Sequence, residues 1–182
     1  MTVRRRAKNS CSNFMPLKIG RWLALATVIV VLDQLTKFAA ASSLTYGVPV
    51  AITPGFNLTL LYNTGAAFSL FDDQPGWQRW FFSSVAGVVS VGIVFWLRAL
   101  DARQLWAPMA LVLILGGAVG NLIDRIVLGY VVDFIQLYYK TWYWPAFNVA
   151  DSAISIGALM LIVRGTTYEP GGAPEQNEAE GG

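Results

Sequence analysis

The sequence predicts an all-α polytopic membrane protein: a four-transmembrane-helix bundle with a small extracytoplasmic β-sheet or hairpin and a second outer connection. Three observations lead there. Of 182 residues, 55% are hydrophobic and 13% charged, where soluble domains carry about 25% charge, and the mean hydropathy is +0.50. The apolar residues gather in four runs near the ~20 needed to cross a ~30 Å hydrocarbon layer as helices. The Lys and Arg residues divide unequally between the two sets of connections, which orients the spans.

Residues 1–21 form a basic segment carrying Arg4, Arg5, Arg6, Lys8, Lys18 and Arg21. Its Cys11, set among polar residues, reads as an incidental reduced thiol. The first span, 22–41, follows a basic run and ends in small residues, as a cleaved signal peptide does. Asp33, Gln34 and Lys37 interrupt it, so an uncleaved membrane helix is expected. The outer connection 42–79 contains "VPVAITPGFNLTLLYNTGAAF", whose β-branched alternation around Pro54-Gly55 predicts a short hairpin or small sheet. The "NLT" at Asn57 carries no weight as a glycosylation signal. Span two, 80–97, has no charge, and a short link with Arg98 and Arg103 leads to span three, 105–123. "GGAVGN" in span three spaces small residues for close helix approach rather than for phosphate binding. A second outer connection, 124–146, precedes span four, 147–163, so the membrane domain covers 22–164. The tail, 165–182, is rich in Gly, Glu and Pro, holds all four glutamates and reads as disordered. Nine Lys and Arg residues then lie on the side of the termini and four on the other, which puts both termini in the cytoplasm. No basic stripe interleaved with aromatics suggests nucleic acid.

The inventory narrows the chemistry. There is no histidine and a single cysteine, which removes Ser/His and Cys/His dyads, His-based zinc sites and disulfide frameworks. Hydrolysis would rest on carboxylates, on Ser/Lys or Thr/Lys pairs, or on an oxygen-ligated metal. Beyond the tail, seven acids remain, all aspartates. Asp72, Asp73 and Asp101 lie in polar connections. Asp33, Asp124, Asp133 and Asp151 lie in apolar surroundings, all toward the outer half of the bilayer in this topology. A charge inside a span costs at least ~2.5 kcal/mol and usually has a partner or a function. Asp33 has Lys37 one turn away on the same helix face and reads as a mainly structural pair. Asp124 stands beside Arg125 and one turn after Asn121, and a local anchor is the plain reading. Asp133 in "GYVVDFIQLYY" and Asp151 in "FNVADSAIS" have no cation within a turn in sequence. If the second outer connection folds back, the two carboxyls meet near the interface, where such a pair shares a proton and can work as base and acid on water and a leaving amine. Asn148, one turn before Asp151, suits substrate binding, carboxyl orientation or helix capping.

The segments "VLDQLTKFAA", "YNTGAAFS", "GGAVGNLIDRIVLGYVVDFI" and "PAFNVADSAISIG" together resemble, in order and spacing, the motifs of lipoprotein signal peptidase, or signal peptidase II. The resemblance covers most of residues 31–158. It implies a bacterial inner-membrane aspartic endopeptidase, without metal or cofactor, that removes the signal peptide from lipidated prolipoproteins just before a diacylglyceryl-modified cysteine on the outer side of the membrane. By the resemblance, the catalytic dyad is Asp133 and Asp151. Asn63, Gly65, Asn121, Arg125 and Asn148 match positions lining the pocket for substrate or for the peptide antibiotic globomycin. Asp33, Lys37 and Asp124 match positions important for folding or activity.

Three rivals remain distinct. A small transporter or ion carrier also uses intramembrane carboxylates, but needs them across the whole depth, and spans two to four are uncharged on their inner halves. A Ser/Lys hydrolase would use Ser152 or Ser155 with Lys37 or Lys140. A structural scaffold leaves Asp133 and Asp151 unexplained.

Overall fold

The computed structural model describes residues 18–65 and 76–167. The expectations for Cys11, the N-terminal arginines, Asp72, Asp73 and the acidic tail lie outside them. Among the described residues, four helices and four strands follow in the order α1 (Ile19–Ser43), β1 (Val50–Thr53), β2 (Phe56–Asn63), α2 (Trp77–Ala99), α3 (Trp106–Val127), β3 (Val131–Tyr139), β4 (Trp142–Tyr143) and α4 (Val149–Thr167).

Polarity is inverted relative to a soluble bundle. The outward faces of α1 and α2 carry Leu35, Phe38, Val88 and Phe95, all exposed, whereas Asp33, Lys37, Asn121 and Asp124 are buried. A helix bundle in lipid has this arrangement, because apolar side chains meet acyl chains and polar ones must find partners inside. By length and composition, α1, α2 and α3 are long and apolar enough to cross a membrane.

Helix α3 is central, with α1, α2 and α4 all packed on it. Its glycines permit this. A Cβ at Gly116 would overlap Ile29 of α1, one at Gly120 would lie 2.6 Å from the Asp33 carboxylate, and one at Gly117 would run into the Ala150 carbonyl of α4. Gly157 of α4 returns the contact against the Ala110 carbonyl of α3. Small residues thus bring the backbones close where lipid supplies no hydrophobic drive between helices. Gly117→Val should therefore force α3 and α4 apart and lower stability by about 1–3 kcal/mol or more. Thermal unfolding of the purified protein checks this, with the parent's midpoint in the variant as the contrary result.

The strands form one antiparallel sheet in the order β1-β2-β3-β4. Gly55, at φ 88°, makes the turn between β1 and β2, where an L-residue would be strained. Here the structure corrects the sequence reading. The hairpin expected in the first connection is extended by the second: β2 pairs with β3, with Leu61 opposite Asp133 and Asn63 opposite Val131. A pairing between segments 70 residues apart leaves no local trace in sequence. Span boundaries also shift. Helix α3 runs to Val127, so Asp124 and Arg125 are helical rather than part of a connection beginning at 124. Gly129, at φ 90°, follows its end, and Asp124 O accepts from Leu128 N and Gly129 N, a glycine-terminated helix end. Helix α4 begins at Val149, two residues after the expected start, because Phe147 bridges to Ile135 of the sheet. It continues to Thr167, past the expected boundary at 164.

Because α1 and α3 run into the sheet while α2 and α4 leave from it, the sheet lies over one end of the bundle. That end is rich in aromatics: Tyr62 stacks between Tyr46 and Tyr130, and Trp142, Tyr143 and Trp144 are exposed.

Candidate active site

All ten residues singled out in the sequence converge at the sheet end of the bundle. The network is best built from its one lysine. Lys37, four residues after Asp33 on α1, lies 2.8 Å from Asp33 Oδ2 and 2.8 Å from Asp124 Oδ2 of α3. It also donates to Asn121 Oδ1 at 2.8 Å. An ammonium has three N–H groups, and these three acceptors use them. Asp33 and Asp124 are buried, with 0% and 3% relative exposure. The expected local pair is thus the core of a cluster joining two helices.

Each carboxylate in that cluster also holds backbone. Asp33 Oδ1 accepts from Ala150 N, in the first turn of α4, at 2.9 Å. Asp124 Oδ2 accepts from Val132 N of β3 at 3.2 Å. Helix N-termini leave N–H groups unpaired and favour negative charge, so Asp33 fixes the start of α4 from a helix 117 residues away in sequence.

Asn148 precedes α4 and caps it. Its Oδ1 accepts from Asp151 N at 2.9 Å, while Asp151 Oδ2 accepts from Asn148 N at 3.3 Å. This is the reciprocal arrangement of a capping box. The Asn148 Nδ2 points the other way and donates to Asp133 Oδ1 at 2.7 Å. The same residue therefore joins both candidate acids, and the capping and carboxyl-orienting readings of Asn148 hold together. Asn121 Nδ2 donates to Asp151 Oδ1 at 2.7 Å, and Asn63 Nδ2 to Asp133 Oδ2 at 3.1 Å.

Asp133 is 2% exposed in β3. Burial pushes its carboxyl up to about 7, the negative charge of Asp151 adds to this, and the amides of Asn63 and Asn148 oppose it. Asn63 is itself oriented: its Oδ1 accepts from Gly65 N at 2.9 Å, which turns its NH2 to Asp133. Gly65 has φ 112°, and a Cβ there would overlap the Phe82 ring. The Arg125 guanidinium lies over the same ring, 5.4 Å from its centroid, and within the electrostatic reach of Asp151, Asp133 and Asp124.

Sequence reasoning missed two side chains. Gln34 Nε2 donates to Asp124 Oδ1 at 2.8 Å and to Gly120 O at 3.2 Å, locking α1 to α3. Its signal was present as a polar residue inside an apolar span. Phe82, which backs both Gly65 and Arg125, had none, since an aromatic in a lipid-facing helix is ordinary. The Ser/Lys alternative gains nothing from the geometry. The Lys37 ammonium is fully engaged, Ser152 Oγ donates to Asn148 O, and Lys140 is an exposed residue between β3 and β4, near the Tyr139 ring.

Known proteins resemble the chain over most of its length. The family model for signal peptidase (SPase) II matches residues 25–167. The lipoprotein signal peptidase of Acinetobacter baumannii is 52% identical over 157 residues, covering 86% of this chain and 89% of that protein. That of Aeromonas hydrophila is 51% identical over 150 residues, covering 82% and 90%. A solved structure described as a bacterial membrane enzyme, obtained by the in meso method at 2.3 Å resolution, superposes with a TM-score of 0.74 at 28% identity, covering 88% of this chain and 98% of the other.

Proposed function

Because the chain belongs to the signal peptidase II family, and is therefore a membrane peptidase that cleaves signal peptides from lipoprotein precursors, we propose that Asp133 and Asp151 are its catalytic carboxylates. The observation that carries this is the shared contact of both acids with Asn148. Each of their four carboxyl oxygens accepts one N–H, from Asn148 and Asn63 on Asp133 and from Asn121 and the Asn148 backbone on Asp151. An ionised carboxyl oxygen has two lone pairs, so the contacts among the described residues leave the ionised carboxylate able to accept from water or substrate as well.

The chemistry follows from that arrangement. With one proton shared by the dyad, the ionised carboxylate takes a proton from water as the oxygen attacks the scissile carbonyl. The protonated partner then gives its proton to the departing amine. Base and acid roles reverse in charge and the dyad returns to its singly protonated state. No covalent enzyme intermediate is involved. Asn63, Gly65, Asn121, Arg125 and Asn148 line the reacting centre and are the contacts for substrate, and for globomycin-type inhibitors that compete with it. Asp33, Lys37 and Asp124 hold those groups in place.

The substrate is a prolipoprotein whose cysteine carries diacylglycerol, cleaved on the amino side of that cysteine. Its apolar signal helix and acyl chains stay in the bilayer, which keeps the scissile bond at interface depth. The exposed Trp142, Tyr143 and Trp144, at the far end of the strand that carries Asp133, support placing the sheet at that depth. We place both termini in the cytoplasm of a bacterium, the site toward the outer face of its inner membrane, and α4 as a fourth span. The 19 residues of α4 reach about 28 Å as a helix. The test uses full-length protein in lipid discs with a diacylglyceryl-modified precursor. The expected product begins with the modified cysteine by mass spectrometry. Cleavage at another bond, or equal cleavage of unmodified precursor, contradicts the proposal.

A further inference from the structure

An amide side chain can face a carboxylate usefully in only one of its two orientations. Its NH2 donates to the ionised oxygen, whereas its carbonyl oxygen would repel it. Asn121 presents Nδ2 to Asp151 at 2.7 Å, and its other end determines which way it turns. There, Oδ1 receives the Lys37 ammonium at 2.8 Å and the Asn148 amide at 3.3 Å. An ammonium is a donor only, so it can accept no N–H and admits only the oxygen of Asn121 on its side. Lys37 is itself fixed by Asp33 and Asp124 at 2.8 Å each.

We infer that Lys37 is a positioning residue for Asp151, acting through the side-chain amide of Asn121, whose NH2 it holds against the Asp151 carboxylate. The inference rests on the reading of Asp151 as a catalytic carboxylate. It assigns the buried cluster a part in the reaction beyond fastening helices. Lys37 is buried, yet as the shorter of the two donors on Asn121 Oδ1 it turns the NH2 of that amide to Asp151. Asn148 has the same constraint from a different source, since the Asp151 N–H holds its Oδ1. Of these two amides, Asn121 alone is oriented by a side chain that can be exchanged without touching the backbone of α4.

The test compares Lys37→Met with Lys37→Gln, both in a full-length Asp33→Asn/Asp124→Asn chain, where no carboxylate is stranded by loss of the ammonium. Both variants lack the charge, but the glutamine retains an NH2 that can donate to Asn121 Oδ1. Cleavage of a diacylglyceryl-modified precursor is followed in lipid discs and in intact membrane vesicles, the second keeping any variant that detergent unfolds. The expected result is a kcat about 10- to 100-fold lower for Met than for Gln, with KM alike. In an Asn121→Leu chain the two variants should no longer differ. Equal kcat values for Met and Gln, a difference confined to KM, or a difference that survives Asn121→Leu would each overturn the inference. If instead Asp151→Asn cleaves at the parent's rate, the dyad reading itself is wrong, independently of the comparison at Lys37.

Discussion

Asp133→Asn and Asp151→Asn are each expected to leave the precursor uncut, with turnover reduced by at least about 10²- to 10⁴-fold, the range for losing a positioned acid or base. An amide in either place keeps the side-chain volume but can neither take a proton from water nor return one to the amine. Asparagine at 151 still offers an oxygen to the Asn148 N–H, so α4 keeps its cap, but its NH2 then faces the Asn121 NH2, so the folded fraction must be measured beside the activity. A processing assay paired with a measure of folded protein checks both halves. Normal cleavage by either variant would remove that residue from the dyad. The parent should also show a pH signature. Since the Asp133 carboxyl is held up to about 7, the dyad keeps its working proton below neutrality and loses it above, so kcat falls as pH rises through about 7. The linked effect on stability has the same sense. A carboxyl of ordinary affinity in the unfolded chain, near 4, but raised in the fold contributes fully at low pH, and that contribution is lost as pH rises from the unfolded value through about 7. Asp133→Asn should flatten this decline. A parent whose stability is constant from acid to neutral pH would contradict the buried, proton-holding state of Asp133.

Lys37→Met in an otherwise unchanged chain should be among the most damaging substitutions to the fold. It leaves Asp33 and Asp124, 0% and 3% exposed, without the ammonium that contacts both. Breaking a buried ion pair by removing one partner costs about 3–5 kcal/mol, a large part of a typical total of about 5–15 kcal/mol. Placing Asp33→Asn and Asp124→Asn in the same chain should restore most of the loss, because the amides still accept from Ala150 N and Val132 N without demanding a counter-charge. Thermal unfolding of the single, double and triple variants measures this. A single variant as stable as the parent would mean that the cluster contributes little to holding the helices together.

Much of this site was legible in the sequence, for a physical reason: charge in an apolar run is costly enough to stand out. Asp33, Lys37, Asp124, Asp133 and Asp151 were visible on that ground alone, and "GGAVGN" announced the close packing around α3. The dyad's assignment came from family resemblance, with the cation-free settings of Asp133 and Asp151 pointing the same way. What stayed hidden was non-local. That Lys37 reaches across to Asp124 and Asn121, that Asp33 caps a helix 117 residues on, and that β2 finds β3 depend on which helices become neighbours. Helix ends depart from the ends of the apolar runs where tertiary contacts decide them, as when Phe147 joins the sheet and α4 starts at Val149.

The cap that Asn148 and Asp151 build on α4 has a consequence for biogenesis. A chain that ends before α4 contains Asp133, Asn63 and Lys37 but lacks Asp151, Asn148 and the Ala150 N–H that donates to Asp33. With the dyad proposed above, hydrolysis depends on the last helix. On that reading the helix translated last brings one of the two carboxylates and the amide that joins them, so a chain lacking α4 should not cleave.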